Sequence, residues 1–580
     1  MSRLTLQQWL LAEREFRGAF GALEEDAVRN QFPALQSARS DYARPSNWPY
    51  LLFCASILAP SELPDAEEKA LRIAQSALLD PACTDCERDA ALVILDSLSN
   101  SRSIELAEAR GLAKEGLPRR LGVSQSIDWV RRSFENRIDL ASGGILQANR
   151  FQRRFWDSAL QSTWLSVSAP TSAGKSFILA QWMTERLMTG AYKRVVYIAP
   201  TRALVQQVET DLRATFRDAK LDSIEISSIP FRSERSGASQ EVLVYTQERL
   251  HYFLQQFPRE AIDAIIIDEA RKLGDSHRGI LLQDVIEQVV ANNPRASVIF
   301  TAPLTKNPEA LLSDAPDGAK SLPLLSLDAT VSQNLLWLEP DRDDPRFWQL
   351  LLRRGERNVL LGHFDAGKRL HTIKGRLAKL AILTDTGEGG ILIYANGAAR
   401  AEEIAEEVAE LLPEIKTKRQ VQALDELCRM TIHKDYRLRA VLRKGVAFHY
   451  GNMPLLLRTA IENLFRDGLI RYLVCTSTLV EGVNLPCRNI LVHAPRKGRK
   501  TPMSGADFWN LAGRAGRWGK EFQGNVICVD TQDIEAWGDT LPTRRDYYRV
   551  ERTTDRLLGE EERLLAYLRA GAPSERPRSD

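Results

Sequence analysis

One short segment combines glycine, lysine and serine in a spacing that suits phosphate. Residues 169–176 read APTSAGKS; they follow the apolar run WLSVS and precede the helical run FILAQWMTERL. In such a strand–loop–helix, backbone N–H groups and the helix N-terminus surround phosphate oxygens, the lysine contacts the β- and γ-phosphates, and the hydroxyl binds Mg²⁺. We therefore predict an ATP and Mg²⁺ site. Its residues in this segment are Thr171, Ser172, Ala173, Gly174, Lys175 and Ser176.

A pair of acidic residues closes an apolar run further along the chain. Asp268 and Glu269 end the sequence AIIIDE. In an open parallel sheet, charged residues at the C-terminal end of a strand project into the ligand crevice. We predict that Asp268 binds Mg²⁺ together with Ser176, and that Glu269 polarises the attacking water as a general base. An isolated acidic pair would more simply cap the next helix, but the phosphate loop upstream favours catalysis.

These residues require strands and helices to position them, and the chain supplies both. Apolar β-branched runs alternate with helical stretches in two series: WLSVSA, RVVYIAP, EVLVYT, AIIIDEA and SVIFTA, then ILIYA, VAFHYG, YLVCTS, NILVHA and NVICVD. Such runs predict parallel sheets covered on both faces. Residues before them place Ala, Leu and Ile at helical spacing. We predict an α/β protein with four parts: a helical domain 1–140, α/β domains 141–325 and 326–535 linked near 313–330, and a charged tail 536–580.

The amino-acid composition limits the classes of protein to which this chain can belong. Lys+Arg 78 against Asp+Glu 76 gives a net charge of only +2, so nucleic-acid binding must come from local basic clusters. The sequence has no apolar run of about 18 residues, so we expect no membrane partner and a cytoplasmic protein. The seven cysteines fit a reducing compartment. Cys83 and Cys86 lack the further ligands of a zinc site and are expected to be free thiols at a helix start.

Further motifs, in order, resemble superfamily 2 and, within it, the superkiller-type DExH helicases. They are APTRALVQQ, YTQERL, DEARKLGDSHRG and FTAPL in the first α/β domain, and GVAFHYGNMP, CTSTLVEGVNLP and NLAGRAGRWG in the second. The resemblance implies two tandem RecA-like domains that hydrolyse ATP between them and grip a strand. It also implies roles for Gln152 in reading adenine, for Gly482 and Asn484 in nucleotide binding, and for Arg514 and Arg517 as catalytic arginines.

The same resemblance implies contacts to the backbone of a nucleic-acid strand. Contacts of this kind are salt-sensitive and nearly blind to sequence. The basic turn PRKGRK occupies the place of a strand-separating hairpin in similar helicases, and a solvated basic turn remains the alternative. The implied contacts are Thr201, Arg202, Thr246, Thr476, Ser477, Arg496, Lys497 and Arg499. Trp509 is expected in the core, whereas Trp518 could pack there or contact a strand.

Three residues depart from the family's pattern. Arg271 follows the DEA motif where the family has His or Asp, Pro303 replaces the Thr of the S-A-T motif, and Asn510 replaces the Gln that opens the arginine motif. All three lie where hydrolysis is coupled to strand movement, so hydrolysis is better supported than efficient unwinding. Arginine at position 271 is longer and always charged; it could pair with an acid and fix the domains, or reach a phosphate.

Two classes of function follow. The first is an ATP-dependent helicase or translocase on DNA or RNA, with DNA favoured and with 3′-to-5′ polarity implied by the resemblance. The second is an ATP-gated sensor or scaffold whose helical domain docks a partner such as a nuclease. A compact motor behind a helical domain is similar to bacterial anti-phage helicases of the Hachiman type, whose partner is a DNA nuclease. A protein-remodelling ATPase is disfavoured because the strand-gripping motifs would be idle. The winged-helix and ratchet domains usual in superkiller-type helicases are not expected within this sequence.

Overall fold

The computed structural model describes residues 5–37, 47–221, 223–231, 240–328, 330–479, 485, 487–498, 501–516 and 518–559. Among these residues, no helix is both long and apolar enough to span a bilayer. The described part contains an N-terminal group of helices and two α/β domains, each built on a largely parallel sheet.

The N-terminal helices pack around a core of small and branched side chains. Thr5 and Thr84 begin two of these helices with capping boxes, in which the threonine oxygen accepts a backbone N–H of the first turn. Cys86 is exposed and Cys83 buried, both as free thiols at the start of the helix that Thr84 caps. The helices are Leu6–Ala12, Arg14–Arg29, Trp48–Leu58, Pro64–Leu79, Asp85–Ser97, Ser101–Ala109 and Val123–Glu135.

The first α/β domain is built on a sheet in which the described strands are all parallel. Their order is Ser321–Leu325, Trp164–Ser168, Ser297–Ala302, Ala264–Ile267, Arg194–Ile198, Glu241–Tyr245 and Glu225–Ser227. Helices cover both faces, as the continuous apolar strands predict. They are Arg150–Gln161, Lys175–Met188, Arg202–Asp218, Gln247–Gln256 and Ser276–Asn292. The prediction that 313–330 is a link was wrong in part, because Ser321–Leu325 is an edge strand paired with Trp164–Ser168.

The second α/β domain has a mixed sheet. Its strand order is Gln36–Ser37, Arg357–Asp365, Phe347–Arg354, Ser332–Pro340, Gln523–Val529, Asn489–Val492, Ile391–Tyr394, Tyr472–Cys475 and Val446–His449. The strands from Ser332–Pro340 to Val446–His449 are parallel, and the other three are antiparallel. Its helices are Ile373–Leu383, Ala398–Glu410, Arg419–Thr431, Arg437–Leu442, Leu455–Arg466 and Gly505–Ala512.

The N-terminal helices dock on this second domain. The strand Gln36–Ser37 extends its sheet, which corrects the prediction that residues 1–140 are all helical. A Cβ atom at Gly362 would lie 2.3 Å from the Gln36 carbonyl oxygen, so only glycine allows this approach. Buried Arg72 donates to Asn334 Oδ1 over 2.6 Å and to the Gln333 carbonyl over 3.1 Å. These polar contacts join the helical domain to the start of the interior strand Ser332–Pro340, in addition to the pairing at the sheet edge.

The chain after the second domain crosses back to the first. We call residues 541–553 the returning segment. Tyr548 N donates to the Leu304 carbonyl over 2.8 Å, and Lys306 N donates to the Tyr548 carbonyl over 2.9 Å. Thr553 Oγ1 donates to the Leu273 carbonyl over 3.1 Å, and a helix follows at Thr553–Gly559. The expected charged tail 536–580 is therefore anchored in part to the first domain; residues 560–580 lie outside the described residues.

Candidate ATP site and strand-binding surface

The predicted phosphate loop joins a buried strand to the start of the helix Lys175–Met188. Gly174 has φ +83°, and a Cβ there would lie 2.5 Å from Gln152 Nε2. The Lys175 ammonium donates to the carbonyls of Ala169 and Pro170 over 2.7 and 2.9 Å. Burial lowers the pKa of Lys175 to about 8, even though Glu269 and Asp268 favour its charged form. The lysine is thus held inside the loop, close to the acidic pair.

Gln152, expected to read adenine, is buried and lies against the phosphate loop at Gly174. Asn149 N donates to Gln152 Oε1 over 3.0 Å, and the Gln152 N–H donates to Asn149 Oδ1 over 2.7 Å. Asn149 Nδ2 in turn donates to the Ala173 carbonyl over 3.1 Å. Trp518 packs on the same loop, with a ring carbon 3.3 Å from the position of a Gly174 Cβ. Trp509 lies in the core, as expected.

The acidic pair follows the strand Ala264–Ile267, at the C-terminal edge of the sheet. Asp268 Oδ1 accepts from Thr301 Oγ1 over 2.7 Å, and Asp268 Oδ2 accepts from the Tyr197 hydroxyl over 2.9 Å. Thr301 belongs to the FTAPL segment, so the resemblance pointed to it. Tyr197 was missed, since nothing in the sequence separates it from a core tyrosine. Burial, reinforced by Asp268, raises the pKa of Tyr197, which keeps its hydroxyl a donor.

The second domain brings Arg514 to the same cleft. Arg514 is buried, and burial lowers its pKa, while the nearby Glu269 is the leading influence that favours its charge. Gln333 Nε2 holds the arginine loop by donating to the carbonyls of Ala512 and Ala515 over 3.1 and 2.9 Å. A Cβ at Gly513 would lie 3.1 Å from Thr171 Oγ1, so this loop meets the phosphate loop. Arg517, Gly482 and Asn484 lie outside the described residues.

Arg271 pairs with acids of both domains. Its Nε lies 3.1 Å from Glu269 Oε2, and its Nη1 lies 3.0 Å from Asp507 Oδ1. Asp507 stands in the first turn of the helix Gly505–Ala512, on the second domain. Of the two alternatives raised by the sequence, the structure therefore has the arginine paired with acids, one of them across the domain boundary.

Three of the predicted strand contacts gather on the first domain. Thr201, Arg202 and Thr246 line one open cavity of about 600 Å³. Both threonine oxygens cap helices, accepting from Leu204 N over 3.3 Å and Arg249 N over 3.4 Å. The other groups in this cavity were not singled out from the sequence. Arg249 and Arg278 lie within the quoted motifs YTQERL and DEARKLGDSHRG, whereas Phe231 and Tyr252 lie outside every motif.

The remaining predicted contacts lie on the second domain and do not line that cavity. Thr476 and Ser477 follow the strand Tyr472–Cys475, and Thr476 N donates to the His449 carbonyl over 3.3 Å. The basic turn does form a hairpin, because Arg496–Lys497 pairs with Thr501–Pro502 in antiparallel fashion. Lys497 lies 3.5 Å from Asp507. Arg499 lies outside the described residues.

The lowered pKa of Lys175 predicts that ATP binding takes up a proton. Above pH 8 much of the lysine in the empty site is neutral, and phosphate oxygens restore its charge by raising its pKa. ATP affinity should therefore fall as the pH rises through about 8. Calorimetric titration in two buffers of different ionisation enthalpy, at about pH 8.5, should show proton uptake by the parent chain. Lys175→Arg, which stays charged, is the control; uptake of equal size by both chains would contradict the assignment.

Comparison with known proteins matches both domains to helicase families. The DEAD/DEAH box helicase model matches residues 149–311, and the helicase conserved C-terminal domain matches residues 377–519. The chain is 25% identical over 460 residues to mouse (Mus musculus) DNA polymerase theta. The matched stretch covers 74% of this chain and 17% of that protein. It is 26% identical over 451 residues to the DExH-box ATP-dependent RNA helicase DExH12 of Arabidopsis thaliana, covering 70% and 19%.

A bacterial relative is similar over a comparable stretch. The Hachiman protein HamB of Bacillus cereus is 25% identical over 438 residues, covering 69% of this chain and 38% of that protein. The chain thus spans less than half the length of each of these three relatives. Two α/β domains carry the matched families, and a phosphate loop, an acidic pair and an arginine loop meet between them. The chain carries the two helicase domains of superfamily 2 and is similar to its superkiller-like DExH members.

Proposed function

We propose that the chain is a cytoplasmic ATP-dependent motor that moves along or unwinds a nucleic-acid strand, with 3′-to-5′ polarity. One observation carries the proposal: the loop that bears Arg514 meets the phosphate loop that bears Lys175, and Glu269 interacts electrostatically with both cations. A transition state of phosphoryl transfer needs positive charge from both sides and a positioned water. The two charges come from different domains, so the rate of hydrolysis depends on the relative position of the domains.

The residues of the chain divide the work of hydrolysis. Lys175 exchanges its two carbonyl partners for phosphate oxygens, Glu269 polarises the attacking water, and Arg514 stabilises the charge that develops on the γ-phosphate. The Ser176 hydroxyl and the Asp268 carboxylate are hard oxygen donors that fit Mg²⁺, which would neutralise phosphate charge. Tyr197 and Thr301 hold the Asp268 carboxylate in place.

Strand displacement tests this function. Short duplexes of DNA and of RNA, each with a 3′ or a 5′ tail, are mixed with the chain with and without ATP. We expect release of the displaced strand only with ATP, only from the 3′-tailed duplex, and faster for DNA. ATPase activity without displacement on any of the substrates would count against the motor and favour the sensor described below.

An exposed aromatic pair supports a grip on bases at the first domain. The rings of Phe231 and Tyr252 meet edge to face with centroids 5.7 Å apart, and 64% of Phe231 is exposed. Stacking of one base on an aromatic ring is worth about 1–3 kcal/mol. Phe231→Ala should therefore weaken single-strand binding about fivefold or more, measured by fluorescence anisotropy. Phe53→Ala, at an equally exposed phenylalanine (64%) of the helical domain, is the matched control. Equal affinities of the two variants would remove Phe231 from the interface.

A second candidate function, an ATP-gated sensor with a docked partner, is favoured by one helix. On Val123–Glu135 the residues Val123, Ile127, Val130 and Phe134 are 80, 63, 51 and 66% exposed. Their spacing puts them on one face, and exposed apolar faces mark protein interaction sites. The opposite side of the helix is held by the Arg132–Asp96 ion pair. We propose that this stripe docks a partner protein, a DNA nuclease if the chain acts in anti-phage defence as its likeness to HamB suggests.

Charge placed on the stripe should release that partner. We expect Ile127→Glu with Val130→Glu to abolish copurification of nuclease activity with the chain while ATP turnover stays at the parental rate, because burying these carboxylates is costly. Gln125→Glu adds a charge to the same helix away from the stripe and should keep the partner. Cleavage of duplex DNA by the purified material measures the outcome, and retention of nuclease by the double variant would contradict the assignment.

A further inference from the structure

Four charged side chains form a continuous path from the ATP site to the basic hairpin. Glu269 pairs with Arg271 at 3.1 Å, Arg271 with Asp507 at 3.0 Å, and Asp507 with Lys497 at 3.5 Å. Glu269 and Arg271 belong to the first domain, and Asp507 and Lys497 belong to the second. The path therefore crosses the domain boundary between the proposed catalytic base and a residue expected to contact the strand.

Arg271 and Asp507 are mostly buried, whereas Lys497, at the hairpin end of the path, is more exposed. The side chains of Arg271 and Asp507 are 18 and 11% exposed, whereas that of Lys497 is 42% exposed. Burial alone would raise the pKa of Asp507, but Arg271, Lys497 and the Ser504 hydroxyl together lower it, so this carboxylate stays charged. A cavity of about 330 Å³ adjoins Arg271, Asp507 and Lys497 and leaves these groups room to move.

Asp507 and Arg271 each pair with two groups of opposite charge, and Lys497 faces solvent. A new charge near Lys497 therefore changes how strongly the successive pairs attract each other. The Asp507 carboxylate forms ion pairs with both Arg271 and Lys497. The Arg271 guanidinium forms ion pairs with both Asp507 and Glu269. A phosphate group of a bound strand attracts Lys497, and Asp507 then interacts more strongly with Arg271. Arg271 moves towards Asp507, and the Glu269 oxygen it held is free to accept a hydrogen bond from water.

We propose that Asp507 is a positioning residue that relays strand binding at the basic hairpin to Glu269 through Arg271. This inference rests on the proposed function and specifies how a strand stimulates it. Without a strand, the Arg271 guanidinium occupies one oxygen of Glu269 and slows hydrolysis. With a strand, the same arginine is drawn into the domain boundary, where it also holds the two domains together.

The test compares ATP turnover with and without a saturating oligothymidine or oligouridine single strand. Asp507→Asn leaves Arg271 on Glu269 in both states, so the ratio of stimulated to unstimulated kcat should fall about tenfold, the effect of losing a charge-assisted hydrogen bond. The KM for ATP and the Kd for the strand should change by less than about twofold, which separates a relay from a general structural defect. Asp507→Glu keeps the charge and should restore most of the stimulation.

Two further variants complete the test. Lys497→Gln releases Asp507 to Arg271 permanently, so the unstimulated rate should rise and the response to a strand should shrink. Asp275→Asn is the matched control, because Asp275 lines the same cavity and pairs with Lys272 at 2.7 Å, off the path; it should keep the parental ratio. A parental ratio in Asp507→Asn, or an unchanged unstimulated rate in Lys497→Gln, would overturn the relay alone. A parent chain that no strand stimulates would overturn the proposed function itself.

Discussion

Lys175→Ala is expected to lower ATP turnover by about a thousandfold while the chain keeps its fold. The ammonium contributes charge to the phosphates in the transition state, and removing such a group from a prearranged site costs about 10²–10³ in rate. Its partners in the structure are the two carbonyls of its own loop, at Ala169 and Pro170. The core of the first domain does not depend on it. Phosphate release under saturating ATP measures the rate, and thermal unfolding monitors the fold.

The matched control for this variant is Lys193→Ala. Lys193 is an exposed lysine of the same domain, just before the strand Arg194–Ile198. It should turn over ATP at the parental rate. Turnover near that rate in Lys175→Ala as well would mean that hydrolysis occurs elsewhere, and the cleft between the domains would lose its assignment.

Arg514→Ala should have the largest effect, a loss of about 10³–10⁵ in kcat, the contribution of an arginine supplied from an opposing domain in related NTPases. The guanidinium acts on the charge that develops during transfer, so ATP affinity should change little. Arg514→Lys should rescue the rate poorly, because the ammonium lacks the planar fork of donors. Binding of a fluorescent ATP analogue and single-turnover hydrolysis separate the two quantities.

Arg514 is buried, so loss of rate through unfolding must be separated from loss of chemistry. Arg443→Ala removes an exposed arginine of the same domain and should leave rate and unfolding temperature at parental values. An Arg514→Ala chain that folds and binds ATP yet hydrolyses it at a comparable rate would show that Arg514 is structural.

The strand, loop and helix that form the candidate ATP site could be predicted closely because their signals are local. A phosphate loop needs only a strand, a glycine turn and a helix start, and residues 164–188 contain all three in sequence. The parallel strands were also predictable, since strands covered on both faces are continuously apolar. Two antiparallel strands, Phe347–Arg354 and Arg357–Asp365, were missed. Their hairpin mixes charged residues with leucines, and its partners are set by the sheet rather than by the segment.

Contacts between distant segments could not be predicted. The returning segment joins Tyr548 to Leu304, and nothing in either stretch specifies the other. Asp507 carries no motif of its own; its importance comes from the approach of Arg271 across the boundary. The roles assigned from the resemblance to Thr201, Arg202 and Thr246 stay predictions, although the structure gathers these residues around one cavity.

The returning segment limits how the two domains can move. The chain leaves the first domain after Ser321–Leu325 and comes back to it at Tyr548, so the second domain is attached at two separate points. While both attachments hold, rotation about the line between them is the motion of the second domain that strains them least. Sliding or wide separation would first have to break the hydrogen bonds of Tyr548 to Leu304 and Lys306. For the proposed motor we therefore predict a swing about this line in each ATP cycle, with a step along the strand whose length depends on the distance of the gripping surface from that line.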